Sequence, residues 1–119
     1  MQGQRFRTLV GASALVLILW SAGAMAADRF TVIDLGTLGG THSYGLAINN
    51  RGQVTGYSSL PGDAETHAFL YSNGVMTDIH PAGWRWSIAT GLNEQGQIVE
   101  YGENPQGDVR AFRLDPIRD

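Results

Sequence analysis

Two stretches of the chain, INNRGQVTGY at Ile48–Tyr57 and LNEQGQIVEY at Leu92–Tyr101, repeat one pattern 44 positions apart. Asn49-Asn50-Arg51-Gly52 and Asn93-Glu94-Gln95-Gly96 each put Asn first and Gly fourth. That order suits a type I turn closed by a glycine at positive φ, a common hairpin loop. Ahead of each turn, apolar side chains take alternate places: Tyr44, Leu46 and Ile48, then Ile88, Thr90 and Leu92 in the second copy. Period two reads as strand. QVTGYS or QIVEYG follows as a second strand, and LPGD or NPQGD turns into a third, HAFLY or RAFRL. Ser72-Asn73-Gly74 then leads to a fourth strand, VMTDI.

Setting Asp34 against Asp78 keeps the copies in register. Ser43 meets Ser87, Tyr57 meets Tyr101 and Pro61 meets Pro105; after a one-residue deletion, Ala68-Phe69 meets Ala111-Phe112. A period in the forties is one supersecondary unit, and four short antiparallel strands per period make a propeller blade. The expected fold is therefore all-β. It has two four-stranded antiparallel propeller-like blades, repeat 1 at about 36–79 and repeat 2 at about 80–114, the second without a fourth strand of its own. Asn49, Gly52, Asn93 and Gly96 are expected as turn residues, and Tyr57, Tyr101, Phe69 and Phe112 as blade core.

RFTVIDL, Arg29–Leu35, matches GVMTDI and reads as a lone fourth strand ahead of the first blade. It complements the three-stranded second blade, as a neighbouring copy would require. Stacked repeats usually need three or more units, and an open edge invites pairing with another chain. A head-to-tail homo-oligomer, a ring of three or four chains, is the expected assembly.

The start of the chain reads differently. Arg5 and Arg7 precede the apolar run LVGASALVLILW, and Ala24-Met25-Ala26 supplies an A-x-A site. This predicts a signal peptide at 1–26, cleaved between Ala26 and Ala27, leaving a β-repeat domain at 27–119. An uncleaved anchor is the competing reading, but the apolar centre falls short of the roughly 20 residues a bilayer span takes. The product is expected to be exported, periplasmic or extracellular, with no membrane attachment once the leader is removed. Eight basic residues, all Arg, face eleven acids, for a net charge of −3. No nucleic-acid footprint is expected from so acidic and scattered a distribution. With no cysteine, an exported domain has only burial to hold it together.

The segment DLGTLGGTHSYGLAINNRGQVTGYS…HAFLYSNGVMTDI, Asp34–Ile79, resembles the HAF repeat of exported bacterial proteins, named for the motif at His67-Ala68-Phe69. The second copy resembles it less: IHPAGW replaces LGTLGG, Arg110 replaces the motif His, and Glu100 replaces Gly56. The resemblance implies a secreted or surface β-repeat protein, usually of more copies, and no activity, cofactor or catalytic residue.

The residues themselves point the same way. His42, His67 and His80 lack ligand spacing and there is no Cys, so no metal is expected. Asp34, His42 and Ser43 contain the letters of a triad without an elbow to present the serine. GTLGG lacks a P-loop lysine, and Glu100 and Glu103 read as solvated charges rather than glycosidase acids. No catalytic residue and no cofactor is expected. The cluster standing outside the repeat pattern is Trp84-Arg85-Trp86, a candidate ligand-binding or interface surface. Indoles can pack on sugar faces while Arg bonds hydroxyls, or they can seal a contact between blades. The expected function is a non-enzymatic binding module with a glycan or cell-surface polymer as ligand. The alternatives are a structural or truncated repeat fragment without ligand and, further off, a hydrolase.

Overall fold

The computed structural model describes residues 28–118; the signal sequence and its cleavage site at Ala26 and Ala27 lie outside them. Seven strands follow in order: β1 (Ser43–Ile48), β2 (Val54–Ser59), β3 (Thr66–Ser72), β4 (Val75–Asp78), β5 (Trp86–Leu92), β6 (Ile98–Glu103) and β7 (Val109–Leu114). They form two antiparallel meanders, β1-β2-β3-β4 and β5-β6-β7, and there is no helix among the described residues. The all-β class and the four-plus-three strand count match the sequence expectation. Among the described residues the two sheets do not close into a ring.

The repeated turns form as their chemistry dictates. Asn49 N–H donates to Gln53 O and Gly52 N–H to Asn49 O, with Gly52 at φ +76°. Asn93, Gln97 and Gly96 repeat these bonds, with Gly96 at φ +82°. Asn49 Oδ1 accepts from the amides of Arg51 and Gln53, as Asn93 Oδ1 does from Gln95 and Gln97. Asn104-Pro105-Gln106-Gly107 makes the same turn a third time, between β6 and β7. The side-chain carbonyl thus satisfies amides that the reversal leaves without ladder partners.

Asn49 does more than Asn93. Its Nδ2 donates to Gln53 Oε1 and to Asn93 O, 3.2 Å away, and the neighbouring Asn50 N–H donates to Glu94 Oε2 at 2.8 Å. One turn is thereby bonded to its own repeat. Asn49 is 8 % exposed, whereas Asn93 lies in solvent.

The apolar core sits between the sheets. Ala68, Leu70 and Ile79 from the first meet Ala89, Leu92, Ile98 and Leu114 from the second. Phe69, one residue out of phase with Ala68 and Leu70, points to the opposite face and is 1 % exposed. It lies across from Gly56 in the register. A Cβ on Gly56 would collide with Tyr44 O, so that close approach of β1 requires glycine.

Two expectations about the core change. The alternation Tyr44, Leu46, Ile48 does not line one buried face: all three are about half exposed or more. The register slips between Gly45 and Ala47, leaving Leu46 as the extra residue of a bulge. Tyr44 pairs with Tyr57 and Ile48 with Val54, which face opposite sides. The same slip recurs between Ala89 and Gly91. Tyr101 is also not core; it is 39 % exposed on the outward face of β6.

Arg29–Leu35, expected as a strand, has no strand pairing. A strand exists only through hydrogen bonds to a neighbour, and none flanks this segment among the described residues. Its Phe30, Val32 and Ile33 are largely exposed.

Replacing Asn49 by Ala should cost about 2 kcal/mol of unfolding free energy, and Asn93→Ala about 1 kcal/mol less, since only the former also orphans a carbonyl of the other repeat. Urea denaturation of the two variants checks the difference.

Candidate functional site

The link between β4 and β5 positions the Trp-Arg-Trp cluster. Gly83, at φ +82°, turns the chain, and Trp84 N–H donates to Pro81 O. Arg85 N–H donates to Glu103 O at 2.8 Å, and Trp86 opens β5 opposite Glu103. From there the pleat decides which way each side chain faces.

The two indoles part. The Trp84 ring lies 4.5 Å from that of Phe112, and its edge occupies space that Gly102 leaves by having no side chain. The Trp86 ring stands at 88° to that of Tyr101, 5.7 Å away, and its Nε1–H donates to Glu103 Oε1 at 3.0 Å. Tyr101 and Gly102 are consecutive in β6, so these contacts fall on opposite faces of the second sheet. Arg85, between them, pairs with Glu103 Oε2 at 3.2 Å while most of its side chain stays exposed.

The structure therefore separates Trp84 from Trp86 and gathers Trp86, Tyr101, Arg85 and Glu103 on one outward patch. Two aromatic faces meet there at a right angle beside a guanidinium and a carboxylate. Such a group can cover an apolar ring face and exchange hydrogen bonds with hydroxyls at its rim. From sequence Tyr101 is expected as blade core and Glu103 as a solvated charge, not as members of this patch. Pairing counted from the Asn93 turn without a bulge would put Tyr101 across from Ala89 and Glu103 across from Ser87; the bulge at Thr90 brings them instead to Ile88 and Trp86, so the pattern held no local signal for the patch.

His67 and His80 serve the junction of the sheets. His67 Nδ1 lies 2.8 Å from Asp78 Oδ2 across β3 and β4, and its ring stacks on His80 with centroids 3.7 Å apart. His80 Nε2 reaches Trp84 O at 2.8 Å, and its Nδ1 reaches Ser87 Oγ at 2.7 Å. A carbonyl only accepts, so Nε2 carries a proton; in the neutral ring Nδ1 then accepts from the Ser87 hydroxyl. Ser87 Oγ in turn accepts Ala68 N–H at 3.0 Å, and the residue is fully buried. This Ser–His pair is a structural bond out of reach of substrate.

The letters of the other triad do not converge. Ser43 Oγ–H donates to Gly36 O, and Asp34 Oδ1 accepts Gly36 N–H. His42 lies beside Asp63, whose carboxylate accepts from Thr41 N–H, Thr41 Oγ–H and Ser59 Oγ–H. The Thr41 amide above all, then the two hydroxyls, hold the Asp63 carboxyl down to about 2. No group of three or more His, Cys, Asp or Glu side chains suited to a metal occurs among the described residues.

A cleft of about 570 Å³ lies where the two repeat turns meet the Asp115–Arg118 segment. Its polar groups are largely spent on one another: Gln97 Nε2 donates to Asp115 and Arg118 to Gln95 O. It offers few free partners to a ligand.

Glu100 is the electrostatic oddity. It replaces Gly56 in the repeat and is fully buried between the sheets, with no hydrogen-bond partner on either carboxylate oxygen. Burial, with a smaller contribution from the Asp78 charge, pushes its carboxyl up to about 7. The folded protein therefore holds a proton that the unfolded chain releases at an ordinary carboxyl value.

Comparison with protein-family models, curated proteins and solved structures yields no match.

Because the folded state keeps the Glu100 proton up to about pH 7 and the unfolded chain loses it near 4.5, stability should fall as pH rises through that window. Below the window the neutral acid is present in both states and the loss vanishes. Glu100→Gln should flatten the profile and raise stability at pH 8 by about 2 kcal/mol, read by chemical denaturation at pH 4 and pH 8.

Proposed function

We propose that this chain is an exported β-repeat protein of the HAF type, a non-enzymatic binding module whose ligand is a carbohydrate or cell-surface polymer. The observation that carries this reading is the patch of Trp86 and Tyr101 at right angles, rimmed by Arg85 and Glu103. Sugar rings present apolar faces to aromatic side chains and hydroxyls to charged ones, and this patch has both chemistries within one surface. Its working place is the periplasm or beyond, to which the signal sequence at 1–26 would deliver it.

The two meanders are read as propeller-like blades, and the working assembly as a head-to-tail ring of three or four chains. The support is the repeat itself. Sheet one uses Ala68 and Leu70 against sheet two's Ala89, Leu92, Ile98 and Leu114, and the first repeat offers Gly45, Ile48, Val54 and Tyr71 at those four places on its own outward side. A second copy can thus repeat the contact that the chain already makes within itself.

A structural repeat without ligand is the competing reading. It is favoured by how little apolar side chain is fully buried: Ala68, Phe69, Ala89 and Ile98 alone among the described hydrophobic residues.

Trp86→Ala should lower glycan-array binding at least tenfold while leaving the solution mass unchanged. Trp84→Ala, which removes the contact with Phe112, should instead cost about 3 kcal/mol of stability. Undiminished binding by folded Trp86→Ala would overturn the patch as the site, and a blank array for the wild-type protein would favour the ligand-free reading.

A further inference from the structure

In the first sheet the far edge of β3 is covered by β4, with Phe69 opposite Asp78, Leu70 opposite Thr77 and Tyr71 opposite Met76. The equivalent strand of the second sheet is β7, and no strand lies beside its far edge among the described residues. In β3 the backbone groups of Ala68 and Leu70 point to that edge: Ala68 O accepts Ile79 N–H. By the repeat, those of Ala111 and Arg113 point to the open edge of β7. An uncovered edge of this kind is a template for another strand.

The segment that fits is Thr31–Asp34. With Asp34 set on Asp78, Thr31, Val32 and Ile33 fall on Val75, Met76 and Thr77. The two aspartates already hold the same local turn. Asp34 Oδ1 accepts Gly36 N–H at 2.9 Å, and Asp78 Oδ1 accepts His80 N–H at 2.9 Å. Ser43 and Ser87 then stand at equal distances beyond them. Each sheet is thus preceded by a strand-like segment, and among the described residues only the one before β5 joins a sheet. Val32 is 92 % exposed and Ile33 69 % exposed, apolar side chains of a strand pattern.

Charge complementarity fixes the partner. In the first sheet Asp78 Oδ2 takes His67 Nδ1 at 2.8 Å. In the second, the place of His67 belongs to Arg110, a largely exposed side chain whose hydrogen-bond partners among the described residues are the neighbouring Val109 O and, at 3.5 Å, Asp108. An arginine there suits an incoming aspartate better than a histidine does, because its charge is permanent and its fork matches a carboxylate.

We infer that Thr31–Asp34 of one copy of this chain adds as a fourth strand to the open edge of β7 on the next, with Asp34 meeting Arg110. The register follows from the first sheet: Asp34 opposite Phe112, Ile33 opposite Arg113, Val32 opposite Leu114. Val32 then covers the partly buried Leu114, and Ile33 lies outward. This rests on the oligomer proposed above and specifies the contact that joins its members. It also accounts for the departure of the second repeat from the His-Ala-Phe motif.

The absence of cysteine makes the test clean. Ile33→Cys and Arg113→Cys proteins, each expressed from the full-length sequence and purified after processing, are mixed and oxidised mildly. A hydrogen-bonded antiparallel pair brings Cα atoms to about 5.5 Å, within disulfide reach. The expected result is a disulfide-linked dimer containing one of each variant, at least tenfold more abundant than from Ile33→Cys mixed with Val99→Cys. Arg110→Asp in the acceptor should reduce it at least tenfold, and Asp34→Arg in the donor should restore it. Equal linking by the Val99→Cys control, or linkage only within one chain when both cysteines are placed together, overturns the inference. A wild-type mass of three or four chains by light scattering without this linkage overturns the register alone. A wild-type monomer with no linkage overturns the ring as well.

Discussion

The two sheets depend on one backbone amide. A sheet needs an acceptor for every buried N–H, and β4 leaves β3 just before it can serve Ala68. Ser87, in the first strand of the second sheet, supplies the missing oxygen. Its own proton goes to His80 Nδ1, and His80 Nε2–H goes to Trp84 O. A hydrogen-bonded chain thus runs from β3 through the link to the base of β5. It sets where the second sheet begins, and so where Trp84 and Trp86 project. The small serine is required because the seam is tight: Ala68, Ala89 and Ser87 are all fully buried there.

Polar bonds carry weight here because the apolar core is small. Thr55 Oγ1–H donates to Phe69 O, Ser58 Oγ accepts Leu38 N–H, and Ser59 Oγ–H donates to Asp63. Buried hydroxyls cost little when both the donor and the acceptor site are met. Glu100 breaks that rule inside the same seam, with two carboxylate oxygens unbonded. Protonation relieves the charge without supplying a partner, so the site remains a weak point that couples the packing of the sheets to pH. Glycine at the equivalent position of the first repeat shows that the sheet does not need a carboxyl there for its own geometry.

What the sequence disclosed follows from the range of each interaction. The turns at Asn49 and Asn93 were legible because an Asn side chain and a positive-φ glycine act within five residues. The strands of the two sheets were legible from the repeat and its turns, whereas Arg29–Leu35 has the pattern of a strand and pairs with none among the described residues. The bulges at Leu46 and Thr90 were not legible: a single extra residue leaves the apolar alternation looking intact while moving Ile48 to the other face. Trp84 and Trp86 looked like one site because they flank Arg85 in the sequence. Trp84, however, precedes β5, and the turn at Gly83 sends it the other way. Glu100 read as solvated because nothing local distinguishes a glutamate facing water from one facing the other sheet.

The places where the second repeat departs from the first share a logic. Position by position, Glu100 stands for Gly56, Arg110 for His67, Trp84 for Gly40 and Arg113 for Leu70. Gly40 could not accept a side chain, since a Cβ there would meet Ser59 Oγ, Leu60 O and Asp63 Oδ1. Trp84 finds room because Gly102 replaces Ser58 beneath it. Leu70 lies in the seam, whereas Arg113 lies on the outward face and pairs with Asp115. A repeat whose copies occupied identical surroundings would have no reason to differ at these positions. Two of them diverge where one copy faces the other sheet of the chain and its counterpart does not: Leu70 and Glu100 lie in the seam, Arg113 and Gly56 outside it.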